Sequence, residues 1–179
     1  MDYFESICKM LLEDHGYWVK QSYKVDLSKE EKKQLGKPSL PRPEIDLLAL
    51  NVKKNELLII EVKSYFDSKG VRLKDLQNIQ SYPQGKFNLF TCEPYRKIIE
   101  ARVKKKLFDD GLIPEDISIK LGLIFGKVVA SDGEKIKKLC NERGWFYWAP
   151  DEIRNKVEGL VSKGYENEPC IITTKILRR

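Results

Sequence analysis

The sequence contains a single histidine, His15, and its four cysteines lie far apart without forming a Cys-x-x-Cys pair. Zinc sites built from Cys and His need several such ligands at short spacings, so this pattern argues against a zinc protein. We expect the thiols to stay reduced and to pack as small hydrophobic side chains.

Long hydrophobic runs are also missing. The longest apolar segments, such as 57–60 and, with one glycine, 121–125, are much shorter than the roughly 20 residues that cross a bilayer. Asp2 and Glu5 precede any apolar stretch, which is the reverse of a secretory signal. These absences predict a cytoplasmic protein without membrane contact.

The composition that is present suits a globular domain. Of 179 residues, 41% are hydrophobic and 34% are charged, and the length predicts one domain over 1–179. The chain has 33 Lys and Arg against 27 Asp and Glu, a net charge of +6. This excess favours a polyanionic partner such as nucleic acid, although charge alone identifies no partner.

Hydrophobic periodicity predicts a mixed α/β fold, in which helices sandwich a mixed β-sheet. The segment 56–63 is apolar on both alternating sets of positions, which is typical of a central strand covered on both faces. Proline and charged residues predict a long surface loop at 28–43. Helices are predicted at 3–14, 72–80, 95–108, 135–143 and 151–162, and strands at 17–25, 44–50, 56–63, 120–129, 145–148 and 171–176.

The tripeptide Glu61-Val62-Lys63 ends the predicted central strand. Side chains two residues apart in a strand lie on the same face, so Glu61 and Lys63 are expected side by side. A hairpin centred between Lys53 and Lys54 would place Asp46 opposite Glu61, with about 5 Å between their Cβ atoms. The sequence therefore predicts two carboxylates and a lysine at one end of the sheet.

Two carboxylates this close repel each other unless one is protonated or a cation lies between them. Asp46, Glu61 and the Val62 carbonyl would offer only oxygen ligands, which suit Mg²⁺ or Mn²⁺. Lys63 could then orient the attacking water or stabilise charge in the transition state. The predicted chemistry is hydrolysis of a phosphodiester.

These residues resemble a known family. The motif Pro43-Glu44-Ile45-Asp46, followed on the next strand by Glu61-Val62-Lys63 and preceded by a helix with Phe4-Glu5, is similar to the PD-(D/E)XK nuclease superfamily. The pattern is closest to archaeal Holliday junction resolvases and Mrr-like restriction endonucleases. The resemblance implies a restriction-endonuclease-like α-β-β-β-α-β core over about 3–130, with a C-terminal extension over about 131–179.

The resemblance also implies a Mg²⁺-dependent deoxyribonuclease. Asp46 and Glu61 would be its metal ligands and Lys63 its catalytic lysine. Glu5 would be the acidic residue that some members add from the first helix, although an acid in a first helical turn also complements the helix dipole. Cutting both strands of a duplex with one centre per chain would suit a homodimer.

Two further features have both a functional and a structural interpretation. The aromatic segment 145–148 could stack on bases, but a core strand is the favoured interpretation. A basic run on the helix at 95–108 could contact DNA phosphates or could be an ordinary solvated face. The run consists of Arg96, Lys97, Arg102, Lys104, Lys105 and Lys106, against the single acid Glu100.

Three alternatives to a nuclease remain open from the sequence. Asp46, Glu61 and Lys63 could form only an internal ion pair. The chain could be a nucleic-acid-binding module on the same fold without catalytic activity. It could also be an accessory protein, which would bind no metal and would expose a large apolar patch.

Overall fold

The computed structural model describes residues 2–164 and 166–178, and its strands form one mixed sheet. The strands lie in the sheet in chain order; the first three are antiparallel, and the third, fourth and fifth are parallel. The predicted α/β class with a mixed sheet is confirmed. The strands are β1 (Trp18–Lys24), β2 (Glu44–Asn51), β3 (Glu56–Lys63), β4 (Ser118–Phe125) and β5 (Phe146–Trp148).

The central position of β3 follows from its sequence. Leu57 and Ile59 pack on one face of the sheet, whereas Leu58 and Ile60 pack on the other, and all four are buried. A strand that is apolar on both faces needs a cover on each side. β3 is therefore paired on both edges and covered by helices on both faces.

Helices occupy both faces of the sheet, and no helix in the described part of the chain is long and apolar enough to span a membrane. One face is covered by α1 (Tyr3–Asp14), α7 (Pro150–Gly159) and α8 (Pro169–Leu177). The other face is covered by α3 (Leu73–Gln77), α4 (Asn88–Thr91), α5 (Glu93–Asp109) and α6 (Gly133–Arg143). The short helix α2 (Lys29–Gln34) belongs to the segment of chain that connects β1 to β2. Two short 3₁₀ turns lie at Ala130–Asp132, before α6, and at Leu160–Ser162, after α7.

The first helix forms as its sequence predicts. The Asp2 side chain accepts the Phe4 backbone N–H and caps the helix, and Phe4, Cys8 and Leu11 form its buried stripe. The cysteines in the described residues are free thiols, and three of the four are buried. The expectation that the thiols pack as small hydrophobic side chains is confirmed for these three.

The predicted strand at 171–176 is wrong, because this segment lies in α8. Pro169 stands at the start of the helix, and the Glu168 side chain accepts the Cys170 backbone N–H. The β-branched residues suggested a strand, but Ile171 and Thr174 lie about one turn apart and are buried on α8, which packs against α7 and the 3₁₀ turn at Leu160–Ser162. Tertiary packing therefore outweighs the β-propensity of this segment.

The predicted loop at 28–43 needs a smaller correction, because it contains α2. Ser28 accepts the Glu31 backbone N–H, and the Glu31 carboxylate accepts the Ser28 backbone N–H. This is a capping box, and its Ser-x-x-Glu signature was present in the sequence. The predicted helix at 72–80 is shorter than expected, and the predicted strand at 120–129 both begins and ends earlier.

Gly122 provides a test of the packing between β3, β4 and β5. A Cβ added there would lie 2.7 Å from Ile60 Cγ1 and 3.4 Å from a ring carbon of Phe146. We predict that Gly122→Ala lowers the free energy of unfolding by about 1–3 kcal/mol, measured by urea denaturation. Gly159→Ala is the matched control, because it adds its Cβ to open space at the end of α7 and should be neutral or slightly stabilising. Equal losses in both variants would contradict this account.

Candidate active site

The candidate site forms where the pairing of β2 with β3 ends. The last residues paired at this end are Leu47 and Ile60, in the register that the sequence predicted. Beyond them, the Val62 backbone N–H donates to Asp46 Oδ2 at 2.7 Å and not to a backbone carbonyl. The Asp46 side chain thus replaces a ladder hydrogen bond and lies beside the end of β3.

The Lys63 ammonium lies among three oxygen atoms. Its Nζ is 2.6 Å from Glu61 Oε1, 3.2 Å from Asp46 Oδ2 and 3.0 Å from the Val62 carbonyl oxygen. These oxygens belong to the residues that the sequence proposed as metal ligands. The structure therefore brings Asp46, Glu61, Val62 and Lys63 together around one cationic group.

The site is largely shielded from solvent but still open. The side chains of Asp46, Glu61 and Lys63 are 18%, 15% and 21% exposed. Burial raises the pKa of Glu61 to about 7, and the charge of Asp46 adds to this, although Lys63 opposes it. Burial lowers the pKa of Lys63, but the two carboxylates outweigh burial and leave it above its usual value. Lys63 therefore stays protonated, whereas Glu61 holds a proton more readily than an ordinary glutamate.

Glu5 lies near this group without joining its ion pairs. Its Oε2 accepts a hydrogen bond from Gln21 Nε2 on β1 at 3.1 Å. Burial raises the pKa of Glu5, and the charges of Asp46 and Asp2 contribute to the increase. Glu5 thus belongs to the electrostatic surroundings of Asp46 but is held by β1.

The oxygen atoms of this site are of the type that binds a hard divalent cation. Two carboxylates and a main-chain carbonyl already converge on the Lys63 ammonium, and only oxygen atoms take part. Glu5 adds a third carboxyl group to the surroundings of the two that contact the ammonium, so further positive charge would be stabilised here. In the part of the chain that the structure describes, no three Asp, Glu, His or Cys side chains lie close enough to hold a metal ion together. A metal ion at this site would therefore have two carboxylate ligands and the Val62 carbonyl as its third protein ligand.

The backbone is irregular on both sides of the site. Ser22 lies opposite Asp46, between the paired residues Gln21 and Tyr23 of β1, and has a φ of 54°. Tyr65, which follows the end of β3, has a φ of 52°. A positive φ is uncommon for residues other than glycine, and residues with such strained backbone are concentrated at functional sites.

Most cations of the basic run on α5 form ion pairs with neighbouring acids. Three of these acids lie four residues from their lysine, on α5 or at its C-terminal end, so lysine and acid are neighbours on the helix surface. The fourth acid lies on α2. Arg96 and Lys104 form no ion pair among the described residues. The pairs are Lys97 with Glu93, Arg102 with Glu31, Lys105 with Asp109 and Lys106 with Asp110.

The aromatic segment at 145–148 packs into the protein. Trp145 lies against Phe90 with ring centroids 4.8 Å apart, and the buried Trp148 lies against Phe146 at 5.4 Å. β5 is an edge strand, and the aromatic side chains of this segment pack on both faces of the sheet, with Trp148 buried and the other three half-buried.

Tyr95 is a neighbour of the site that the sequence did not reveal. It lies on α5, and burial together with the charge of Glu61 raises its pKa to about 12. No motif marks it, because only the packing of α5 against the sheet brings it near Glu61.

Comparison of the chain with protein-family models, with curated proteins and with solved structures finds no match.

The raised pKa of Glu61 gives a pH dependence of stability. Because the folded-state pKa lies above the unfolded value, the contribution of Glu61 is fully present below about pH 4.5 and is lost as the pH rises through about 7. We predict that in EDTA the wild type loses about 1–3 kcal/mol of unfolding free energy across this window relative to Glu61→Gln. Urea denaturation at a series of pH values measures the difference, and parallel profiles for the two proteins would contradict it.

Proposed function

We propose that this protein is a metal-dependent endonuclease that hydrolyses DNA phosphodiester bonds. In this proposal Asp46, Glu61 and the Val62 carbonyl hold Mg²⁺ or Mn²⁺, and Lys63 is the catalytic lysine. The observation that carries the proposal is the convergence of these three oxygens on the Lys63 ammonium at the end of β3.

The position of the group in the sheet supports the proposal. Asp46 lies near the start of β2 and Glu61 near the end of β3, so both lie at the edge where the parallel strands β3 and β4 end. In open α/β sheets, ligands bind outside the carboxyl ends of the strands. With the short helices α2, α3 and α4 left out, the order α1, β1, β2, β3, α5, β4 is the α-β-β-β-α-β order that the resemblance to PD-(D/E)XK nucleases implies, which supports the proposal.

Each residue has a role that follows from its contacts. A bound divalent cation would neutralise phosphate charge and make water a stronger nucleophile. Asp46 and Glu61 supply the negative charge that binds the cation, and burial increases the strength of their electrostatic interactions. Lys63 keeps its proton, and a cation bound to these oxygens would free its N–H groups, which are now donated to them, for an attacking water or a negatively charged phosphate oxygen.

A non-catalytic function is the second candidate, because Lys63 alone already bonds to both carboxylates. In that case the three side chains would be a buried ion-pair cluster on a nucleic-acid-binding or accessory protein. The exposed apolar side chains of Ile176 and Leu177 on α8 would suit an accessory protein. Cleavage and metal binding separate the two candidates.

We predict that Lys63→Met lowers the cleavage rate in Mg²⁺ by about 100-fold or more, because it removes a hydrogen-bond donor where transition-state charge develops. The assay compares duplex, single-stranded and four-way-junction DNA. Lys120→Met is the matched control, since Lys120 is a strand lysine whose ion pair with Glu56 lies outside the site. Wild-type cleavage by Lys63→Met, or no cleavage by the wild type in Mg²⁺ or Mn²⁺, would contradict the proposal.

We also predict that Mn²⁺ raises the melting temperature of the wild type by about 5–10 °C at a concentration near one hundred times its Kd. Asp46→Asn and Glu61→Gln should lose this increase. Asparagine is preferred to alanine because its Oδ1 still accepts the Val62 backbone N–H, which alanine would leave unpaired.

The control for this melting experiment is Glu44→Gln. Glu44 is an exposed acid on the same strand as Asp46, and among the described residues its ion pair is with the exposed Lys24. It should keep the full Mn²⁺ effect. If all three variants respond like the wild type, the cation binds elsewhere.

A further inference from the structure

A large cleft lies beside the candidate site. It has a volume of about 830 Å³ and is formed by the segment after β3 and the segment between α3 and α5. The first wall begins at Tyr65, close to Lys63, and the second leads through Thr91 into α5, which carries Tyr95 near the charge of Glu61. The cleft lining therefore begins two residues after Lys63 and ends two residues before α5.

The lining of the cleft is basic, and its cations lack acidic partners. Lys69, Arg72, Lys74 and Lys86 line it together with one acid, Asp75. None of these four cations forms an ion pair within the described residues, whereas most cations of the α5 run are neutralised by neighbouring acids. Counterion release on binding phosphates is greatest where cations are not already paired. The cleft is thus a stronger candidate for phosphate binding than α5.

The cleft also carries side chains that could contact the bases of a nucleic acid. The Tyr65 ring lines it, and Lys86 Nζ lies over that ring, 5.1 Å from its centroid, so the exposed Lys86 side chain has to move aside before a base can stack there. Gln80 lines it as well, and its buried Oε1 has no hydrogen-bond donor in the described residues. A positively charged groove and an aromatic ring on which a base can stack are the features of single-strand binding grooves.

The first wall is held in place by close backbone packing. Gly70 has a φ of 93°, and a Cβ there would lie 2.8 Å from the Val128 backbone nitrogen. Next to it, Val71 forms a parallel bridge with Val128. The first wall therefore rests on the segment that follows β4, which holds it in place by backbone contacts.

We propose that this cleft binds a single-stranded segment of the DNA substrate and guides it to Asp46, Glu61 and Lys63. The inference rests on the proposed nuclease function and adds its substrate class. A single strand is favoured over a duplex because a base must leave the stack before its face can reach Tyr65 inside a concave cleft. The four cations would hold the phosphates on either side of that base.

The test measures DNA binding in EDTA, so that no cleavage is needed. Fluorescence anisotropy follows a labelled oligothymidylate of about 15 nucleotides and a duplex of the same length over about 50–300 mM salt. The cleft variant combines Arg72→Ala, Lys74→Ala and Lys86→Ala. Its matched control combines Lys97→Ala, Lys105→Ala and Lys106→Ala, which removes the same charge from paired positions on α5.

We expect the wild type to prefer the single strand. The cleft variant should bind it about tenfold or more weakly, with a salt slope reduced by about 2, whereas the α5 variant should change affinity less than about twofold. Equal losses in both variants, equal affinity of the wild type for duplex and single strand, or no binding by the wild type would overturn the inference. If the wild type cuts DNA in Mg²⁺ while the cleft variant binds normally, the nuclease proposal stands and only the cleft assignment fails.

Discussion

The hydrogen bond from the Val62 backbone N–H to Asp46 is the interaction on which the candidate site depends. Backbone pairing between β2 and β3 stops just before it, so this N–H would otherwise lack a partner at the buried end of the central strand. The bond fixes the Asp46 carboxylate beside β3, where Lys63 can contact both Asp46 and Glu61. Because β3 is covered on both faces, these polar groups are shielded, which raises the pKa of Glu61 and strengthens every charge interaction among them.

Charge is distributed unevenly around this centre. Asp46, Glu61 and Glu5 form an acidic centre with one ammonium, and such a centre alone would repel a polyanion. The adjoining cleft has the opposite character, since its lysines and arginine lack acidic partners among the described residues. A nucleic acid would therefore be attracted by the cleft, and added positive charge at the acidic centre would allow the phosphate to approach. The +6 net charge is thus less informative than the places where cations remain unpaired.

Patterns in the sequence predicted those parts of the fold that depend on residues close to one another in the chain. The hairpin register and the shared face of Glu61 and Lys63 follow from strand periodicity and are present in the structure. Helix α8 was missed because its β-branched residues suggested a strand, although Glu168 and Pro169 are a helix-start signal. The pairing of the α5 cations and the position of Tyr95 could not be predicted, because they depend on helix geometry and on how α5 packs against the sheet.

The central claim is that a divalent cation and the Lys63 ammonium share the same oxygens of Asp46, Glu61 and Val62. Isothermal titration of Mn²⁺ into the wild type and into Lys63→Met, without DNA, tests it most directly. If the ammonium competes for these oxygens, both proteins bind Mn²⁺ at one site per chain, and Lys63→Met binds it more tightly. An absence of Mn²⁺ binding in both proteins, or binding that Glu61→Gln leaves unchanged, would contradict the account.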